Sequence, residues 1–220
     1  VYYFREGGAS QRDLLGGKGA NLGEMSQLGL PVPPGFTVTT EACREYDRLD
    51  GRLPNGLWAE VKSHMIGIQD SVKRDFGSRS NPLLVSVRSG AKFSMPGMMD
   101  SILNLGLNDE TADGLAKITG DQRFALDSHR RFLQMFGRVV LKVPGEPFEE
   151  VLDDIKGKAG VATDAELTVD DLPEIISRFR DVIKKHSDAI VPDDPWDQLK
   201  MAIEAVFESW GNKRAIAYRD

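Results

Sequence analysis

Residues 83–108 constrain the fold most, because they predict two strands that are joined by a polar loop. The apolar and partly β-branched run at 83–87 is typical of a buried strand, and the run at 102–107 predicts a second, returning strand. Arg88 stands where the first strand ends, a position at which open sheets place ligands. Its planar guanidinium suits phosphate or carboxylate oxygens. The same residues also fit an ordinary hairpin in which Arg88 pairs with a surface acid.

A second feature that favours anion binding lies near the start of the chain. Gly16 and Gly17 precede Lys18, and apolar residues then recur at helical spacing as far as Leu28, before Gly29. This pattern predicts a helix that begins near Lys18 and ends at Gly29. The exposed amides and the dipole of a helix N-terminus favour an anion, and the two glycines allow it to approach the backbone closely. Alternatively, Lys18 is a solvated lysine beside a glycine turn.

The glycines around Lys18 do not form a P-loop. That motif requires glycine where this chain has Arg12, and Ser or Thr where it has Gly19. Any phosphate site at Lys18 must therefore be built differently.

Composition excludes several classes of protein. The chain has 220 residues and a net charge of −6, which argues against a nucleic-acid-binding protein because no excess of Lys and Arg supplies a basic face. No apolar run approaches the ~20 residues that span a bilayer, so a membrane protein is not expected. Cys43 is the single cysteine, so no internal disulfide can form. We interpret it as a packed thiol and expect a cytoplasmic protein.

The chain changes character about halfway along its length. Strand and helix patterns are mixed in the first half, whereas the second half lacks a strand pattern. Proline-rich residues 192–195 then precede a last amphipathic helix at 196–210. We therefore predict an α+β fold with a mixed lobe of residues 1–108 and 194–220 and an inserted all-helical lobe of residues 109–193. The last helix would pack back onto the mixed lobe and make that domain discontinuous.

Apolar spacing predicts individual helices as well. It predicts a long amphipathic helix at 57–76 and helical structure over 109–140. Thr168 is expected to cap the N-terminus of a helix that runs to about residue 186. The charged residues 129–131 are expected to form a solvated patch.

Four sequence blocks occur in an order that resembles a known family. They are Leu-Gly-Gly-Lys-Gly-Ala-Asn-Leu at 15–22, Gly-Leu-Pro-Val-Pro-Pro-Gly-Phe-Thr-Val-Thr-Thr at 29–40, Val-Arg-Ser-Gly-Ala at 87–91 and Ser-Met-Pro-Gly-Met-Met-Asp at 94–100. Together they resemble the N-terminal nucleotide-binding region of the pyruvate, phosphate dikinase family. Phosphoenolpyruvate synthase and related kinases share the Gly-Gly-Lys and Val-Arg-Ser blocks. The block at 94–100 and the long helical insert are more similar to the dikinase.

The resemblance implies an ATP-grasp-like domain that binds ATP and Mg²⁺. In this family, ATP donates its terminal phosphates to a histidine on a swivelling domain of the same chain, which carries a phosphoryl group to pyruvate. The overall reaction interconverts ATP, phosphate and pyruvate with AMP, pyrophosphate and phosphoenolpyruvate. By motif, Lys18 and Arg88 would hold the polyphosphate. The loop that carries Ser94, Gly97 and Met99 would close over the nucleotide.

The resemblance also implies that these 220 residues are a truncated part of the enzyme. The carboxylates that hold magnesium are expected beyond residue 220, and so are the pyruvate site and a homodimer interface. His64, His129 and His186 lack the sequence context of the phosphate-accepting histidine, so no catalytic and no metal-binding residue is expected within the chain. We therefore expect the chain alone to be inactive and its loop at 94–100 to be mobile.

Two alternative functions fit the same motifs. A phosphoenolpyruvate synthase-type kinase would use water instead of phosphate as the second acceptor. A non-catalytic helical interaction or regulatory module would retain the motifs without turnover.

Overall fold

The computed structural model of the protein describes residues 1–90 and 101–210, which form an α+β fold. The strands are short: β1 (Tyr2–Tyr3), β2 (Phe36–Thr37), β3 (Asp75–Phe76), β4 (Pro82–Leu83), β5 (Val85–Arg88) and β6 (Ser101–Leu105). The α-helices are α1 (Arg12–Gln27), α2 (Thr40–Arg48), α3 (Leu57–Val72), α4 (Asp109–Thr119), α5 (Gln122–Val139), α6 (Glu146–Ala159), α7 (Leu172–His186) and α8 (Pro195–Trp210). Short 3₁₀ helices span Phe4–Glu6, Ala9–Gln11 and Asp164–Glu166. The predicted α+β class is confirmed, with helix predominating.

The strands pair two by two. β1 and β2 are antiparallel, with Tyr2 opposite Thr37, whereas β3 and β4 are parallel. β5 pairs with β6. The prediction of a strand on each side of the polar loop is confirmed, although the first predicted strand is divided at Leu84 into β4 and β5.

The chain packs as two compact units, and β5, β6 and α8 each contribute residues to both. The described part of the first unit is residues 1–74, 88–90, 101 and 203–210, and the second unit is residues 75–87 and 102–202. Compact units are not the same as functional domains. The predicted lobes of residues 1–108 with 194–220 and of residues 109–193 therefore stay a prediction.

The first unit is built on α1, α2, α3 and the last turns of α8. Thr39 caps α2 by accepting a hydrogen bond from Ala42 N at 3.3 Å. Phe207 packs on Tyr46, with ring centroids 5.2 Å apart. The Cys43 thiol is buried, as predicted. Apolar side chains from all four helices form the core of this unit: Leu15, Ala20, Cys43, Tyr46, Val61, Met65, Ile68, Val206 and Phe207.

The second unit is dominated by α4 to α7. Phe148 and Phe179 meet edge to face in its core, with ring centroids 5.0 Å apart. Residues 109–193, all of them described, contain helices and no strand, in agreement with the predicted loss of strand structure. None of the described helices has the length and apolar character needed to cross a membrane.

Two predicted helical spans differ from those observed. α3 ends at Val72 because Lys73 adopts a left-handed backbone conformation with φ of 57°, and Phe76 therefore lies in β3 and not in a helix. The span 109–140 is helical but interrupted at Gly120, which also has a left-handed backbone, with φ of 68°. In both cases a single residue with a left-handed backbone conformation ends the helix.

Thr168 is not the N-cap of α7, contrary to the prediction. The helix begins at Leu172, and Asp171 occupies the cap position. Thr168 instead donates from its backbone N and its Oγ1 to Asp171 Oδ2, at 2.8 and 2.7 Å. This hydrogen-bonded turn precedes the helix and replaces the predicted cap.

The prediction that the charged residues 129–131 form a solvated patch is wrong for His129 and Arg130 and right only for Arg131, whose side chain is 60% exposed. His129 and Arg130 are each only 2% exposed. Arg130 Nη2 lies 2.8 Å from Asp127 Oδ1 and 3.0 Å from Asp164 Oδ2. The two carboxylates compensate the charge of the buried guanidinium. This compensation allows an arginine to lie on the buried face of α5.

Candidate functional site

Lys18 lies at the start of a helical segment because α1 is broken at Gly16. The φ and ψ angles of Gly16 are 69° and 169°, far from helical values. The helix restarts after this break, so Lys18 belongs to the first turn of a new segment, as predicted. The N–H groups of such a turn have no acceptor within the helix. They add to the positive potential around the Lys18 side chain.

Two glycines allow the backbone around Lys18 to lie in close contact with β2 and with the segment that follows β5. A Cβ on Gly19 would lie 2.8 Å from Thr37 Oγ1, so α1 packs directly on β2. A Cβ on Gly90 would lie 3.3 Å from Lys18 Cβ, so the chain that leaves β5 passes directly against Lys18. These close approaches place the helix start beside the end of β5.

The segment that follows β5 brings Lys18 and Arg88 together. Lys18 Nζ donates a hydrogen bond to Ser89 O at 3.1 Å. Arg88 is the last residue of β5, and its side chain is exposed. Partial burial and, next, the positive charge of Arg88 lower the pKa of Lys18 below its ordinary value. The two predicted phosphate-binding cations are therefore close enough to repel each other.

Neither cation is neutralised by the part of the chain that the structure describes. Within residues 1–90 and 101–210, no Asp or Glu side chain forms an ion pair with Lys18 or Arg88. The alternative interpretation of Arg88, a pair with a surface acid, has no support among these residues. Two adjacent cations without a counter-charge favour an anionic ligand, because a bound anion would remove their repulsion.

Trp210 belongs to the same site, and sequence reasoning did not find it. Its Nε1 donates a hydrogen bond to Ser89 Oγ at 3.0 Å from the last turn of α8. Ser89 is buried, with 6% of its surface exposed. The sequence placed Trp210 only on the last amphipathic helix. The two residues are 121 positions apart, and no spacing pattern relates residues at that distance.

The other predicted site residues, Ser94, Gly97 and Met99, lie outside the described residues, and so does the loop that was predicted to be mobile. In the described ranges, no group of three or more His, Cys, Asp or Glu side chains is arranged to hold a metal ion. Those ranges therefore do not fit a magnesium site.

A cavity of about 560 Å³ lies elsewhere in the first unit. Its lining includes Arg44, Arg48 and Glu60, from α2 and α3, and neither Lys18 nor Arg88 is part of it. Lys18 and Arg88 are both exposed.

Comparison with known proteins agrees with the resemblance of the four sequence blocks. The family profile described as "Pyruvate phosphate dikinase, AMP/ATP-binding domain" matches residues 12–53 and 49–220. The pyruvate, phosphate dikinase of Clostridium symbiosum is 51% identical over 220 residues, which are 100% of this chain and 25% of that protein. That of Giardia intestinalis is 49% identical over 226 residues, covering 100% of this chain and 26% of the relative. Pyruvate, phosphate dikinase 2 of Zea mays is 51% identical over 214 residues, or 97% and 24% of the two chains.

The chain thus spans about a quarter of the length of the curated relatives that it matches. The family profile includes both the helix start at Lys18 and the strand end at Arg88. With nearly every residue matched, the chain belongs to the family of pyruvate phosphate dikinase AMP/ATP-binding domains.

Proposed function

We propose that this chain is the ATP-binding portion of a pyruvate, phosphate dikinase, in which Lys18 and Arg88 bind the polyphosphate of ATP. The main support for the proposal is the proximity of Lys18 and Arg88. Two adjacent cations stand at a helix start and a strand end, in a chain of an AMP/ATP-binding family. Such a pair is unfavourable without a ligand and becomes favourable with an anion between its members.

The two side chains would make different contacts with ATP. The Lys18 ammonium has three N–H donors and gives one to Ser89 O, which leaves two for phosphate oxygens. The Arg88 guanidinium offers a planar fork that matches two oxygens of one phosphate. The first amides after Gly16 add further donors at a helix start. Together these groups supply the positioning and charge neutralisation on which phosphoryl transfer depends.

For the complete enzyme, we propose that ATP bound here phosphorylates a histidine on a swivelling domain of the same chain. That domain then passes a phosphoryl group to pyruvate, so that ATP, phosphate and pyruvate are interconverted with AMP, pyrophosphate and phosphoenolpyruvate. The relatives are named pyruvate, phosphate dikinases, which favours this reaction over a phosphoenolpyruvate synthase-type reaction or a non-catalytic module. A homodimer interface would belong to residues outside this chain.

Several finer expectations belong to the same proposal. An ATP-grasp-like domain would be completed by residues beyond this chain, which would also hold Mg²⁺. The loop with Ser94, Gly97 and Met99 would cover the nucleotide, and the protein would be cytoplasmic. The 220 residues alone should therefore form no AMP when they are incubated with ATP, magnesium, phosphate and pyruvate.

Alanine variants of the two cations test the proposal in the full-length dikinase that carries this region. We expect Lys18→Ala and Arg88→Ala each to raise the KM for ATP about ten- to a hundredfold. The reason is that a hydrogen bond to a charged group contributes about 1.5–3 kcal/mol. An unchanged KM for ATP in both variants would contradict the proposal.

Two matched controls remove exposed cations from the same unit. Lys62 lies against the ring of Trp58, and Arg48 pairs with Glu45. Lys62→Ala and Arg48→Ala should leave the KM for ATP unchanged. If they raised it as much as the site variants do, the effect would reflect total charge and not a specific site.

A further inference from the structure

Ser89 is held from two directions, directly beside the proposed phosphate-binding arginine. Lys18 Nζ donates to its carbonyl oxygen at 3.1 Å, and Trp210 Nε1 donates to its hydroxyl oxygen at 3.0 Å. Ser89 is buried and follows the last residue of β5. Because one peptide link joins them, whatever fixes Ser89 also restrains the backbone of Arg88.

The end of α8 gives the Trp210 indole a firm support. Phe207 packs on the ring of Tyr46, and Tyr46 Oη donates to Glu208 Oε1 at 3.5 Å. Ser209 is 5% exposed, so the turn that carries Trp210 is itself buried on one side. A hydrogen-bond donor on a packed helix restrains its acceptor better than a donor on a mobile surface side chain does.

We propose that Trp210 is a positioning residue for ATP: by holding the Ser89 hydroxyl, it orients the Arg88 guanidinium toward the polyphosphate. This inference rests on the proposed function. Lys18 does not perform this task alone, because it holds only the backbone carbonyl of Ser89, whereas Trp210 holds the Ser89 side chain. The indole N–H is an uncharged donor, which phosphate oxygens attract less strongly than they attract an ammonium, so we expect it to stay on Ser89 Oγ when ATP binds.

Two variants remove this hydrogen bond from opposite ends. Trp210→Phe keeps an aromatic ring without the N–H, and Ser89→Ala keeps the backbone without the hydroxyl. In the full-length dikinase, each should raise the KM for ATP about three- to tenfold with little change in kcat, as expected for the loss of one hydrogen bond. The double variant should be no worse than the more affected single variant, because the same bond is lost only once.

A double-mutant cycle with Arg88→Ala decides whether Trp210 acts through Arg88. If it does, Trp210→Phe in the Arg88→Ala background should cause no further increase in the KM for ATP. Additive effects would overturn the inference and leave Trp210 as a support of the fold alone. An Arg88→Ala variant with an unchanged KM would overturn the proposed function, and the inference with it.

Fold controls separate positioning from a loss of structure. Trp58→Phe removes an indole N–H from the same unit, at a ring that lies 5.4 Å from Lys62 Nζ, and should leave the KM for ATP unchanged. Thermal unfolding of every variant shows whether it is folded at the assay temperature. If Trp210→Phe is not, the cycle of Ser89→Ala with Arg88→Ala carries the same test, and additivity there would overturn the inference equally.

Discussion

The two units of the protein differ in the burial and in the ion pairing of their cations. In the second unit, Arg130 is buried and lies against the carboxylates of Asp127 and Asp164. In the first unit, Lys18 and Arg88 are close enough for the pKa of Lys18 to be lowered, yet no carboxylate of the described residues pairs with either. A paired and buried cation indicates a structural role, whereas two adjacent cations that lack a carboxylate partner among the described residues favour a ligand site.

The difference follows from the surroundings of each cation. A buried charge without a partner destabilises a fold strongly, so Arg130 requires its carboxylates. Lys18 and Arg88 are exposed, so water stabilises their charges, and neither needs a carboxylate from the described residues. Burial and pairing, and not charge in the sequence, distinguish the two roles.

Among substitutions that probe this difference, Arg130→Ala should have the largest effect, and the effect should be on stability. It removes the buried guanidinium that pairs with Asp127 and Asp164, which leaves these carboxylates only their outer partners Arg131 and Lys156. The free energy of unfolding should therefore fall by about 3 kcal/mol. Arg131→Ala is the matched control, because its side chain is 60% exposed and pairs with the same Asp127. That control should lose less than about 1 kcal/mol. Urea denaturation measures the free energy of unfolding of both variants. Equal losses in Arg130→Ala and Arg131→Ala would contradict the structural role of Arg130.

The second largest effect should be a dependence of stability on pH that is caused by His129 of the second unit. Its side chain is buried in the neutral form. Burial lowers the pKa of His129 to about 4, although the Asp109 carboxylate at 3.8 Å opposes this shift. The unfolded chain, with a pKa of about 6.5, binds the proton more tightly. Stability is therefore fully present above pH 6.5 and falls by up to about 3 kcal/mol as the pH approaches 4.

Urea denaturation at pH 7 and pH 4.5 measures this contribution. His129→Gln should lose it, so the stability of that variant should depend less on pH than the stability of the unmodified protein. His186→Gln, which replaces an exposed histidine, should keep the full dependence. The same pH dependence in all three proteins would show that His129 is not the responsible group.

Arg88→Lys should have a smaller effect, and on ATP use instead of stability. The variant keeps the positive charge but loses the planar fork, so the KM for ATP should rise about fivefold, less than in Arg88→Ala. Steady-state kinetics of the full-length dikinase measure the difference. Kinetics equal to those of the unmodified enzyme would mean that charge alone matters at position 88.

The smallest effect should be that of Lys18→Ala and Arg88→Ala on stability. Because both side chains are exposed and repel each other, their removal should change the free energy of unfolding by no more than about 0.5 kcal/mol. Urea denaturation is again the measurement. A loss as large as that of Arg130→Ala would mean that Lys18 and Arg88 stabilise the fold. The cations of the two units would then not differ in role.

The local features of the candidate site could be predicted from the sequence, but its long-range contact could not. The helix start at Lys18 follows from the preceding glycines, and the strand end at Arg88 follows from the apolar run before it. The hydrogen bond from Trp210 to Ser89 depends on how α8 packs in the first unit. No spacing pattern encodes that packing, because 121 positions separate the two residues.

The burial of His129 was predictable and was missed. It lies four residues after Ala125 and three before Phe132, so helical spacing places all three on one buried face of α5. The charges of neighbouring residues suggested solvent, but the spacing was the better guide. The end of α3 is different in kind, because a lysine in the left-handed conformation, as at Lys73, gives no warning in the sequence.

The pKa of the Lys18 ammonium, measured by NMR titration with and without ATP, tests the central claim most directly. In the free protein it should lie below the ordinary 10.5, because of partial burial and the charge of Arg88. Bound polyphosphate would supply negative charge at the site, so saturating ATP should raise the pKa of Lys18. A pKa of Lys18 that stays the same in protein that has bound ATP would contradict the placement of the polyphosphate between Lys18 and Arg88.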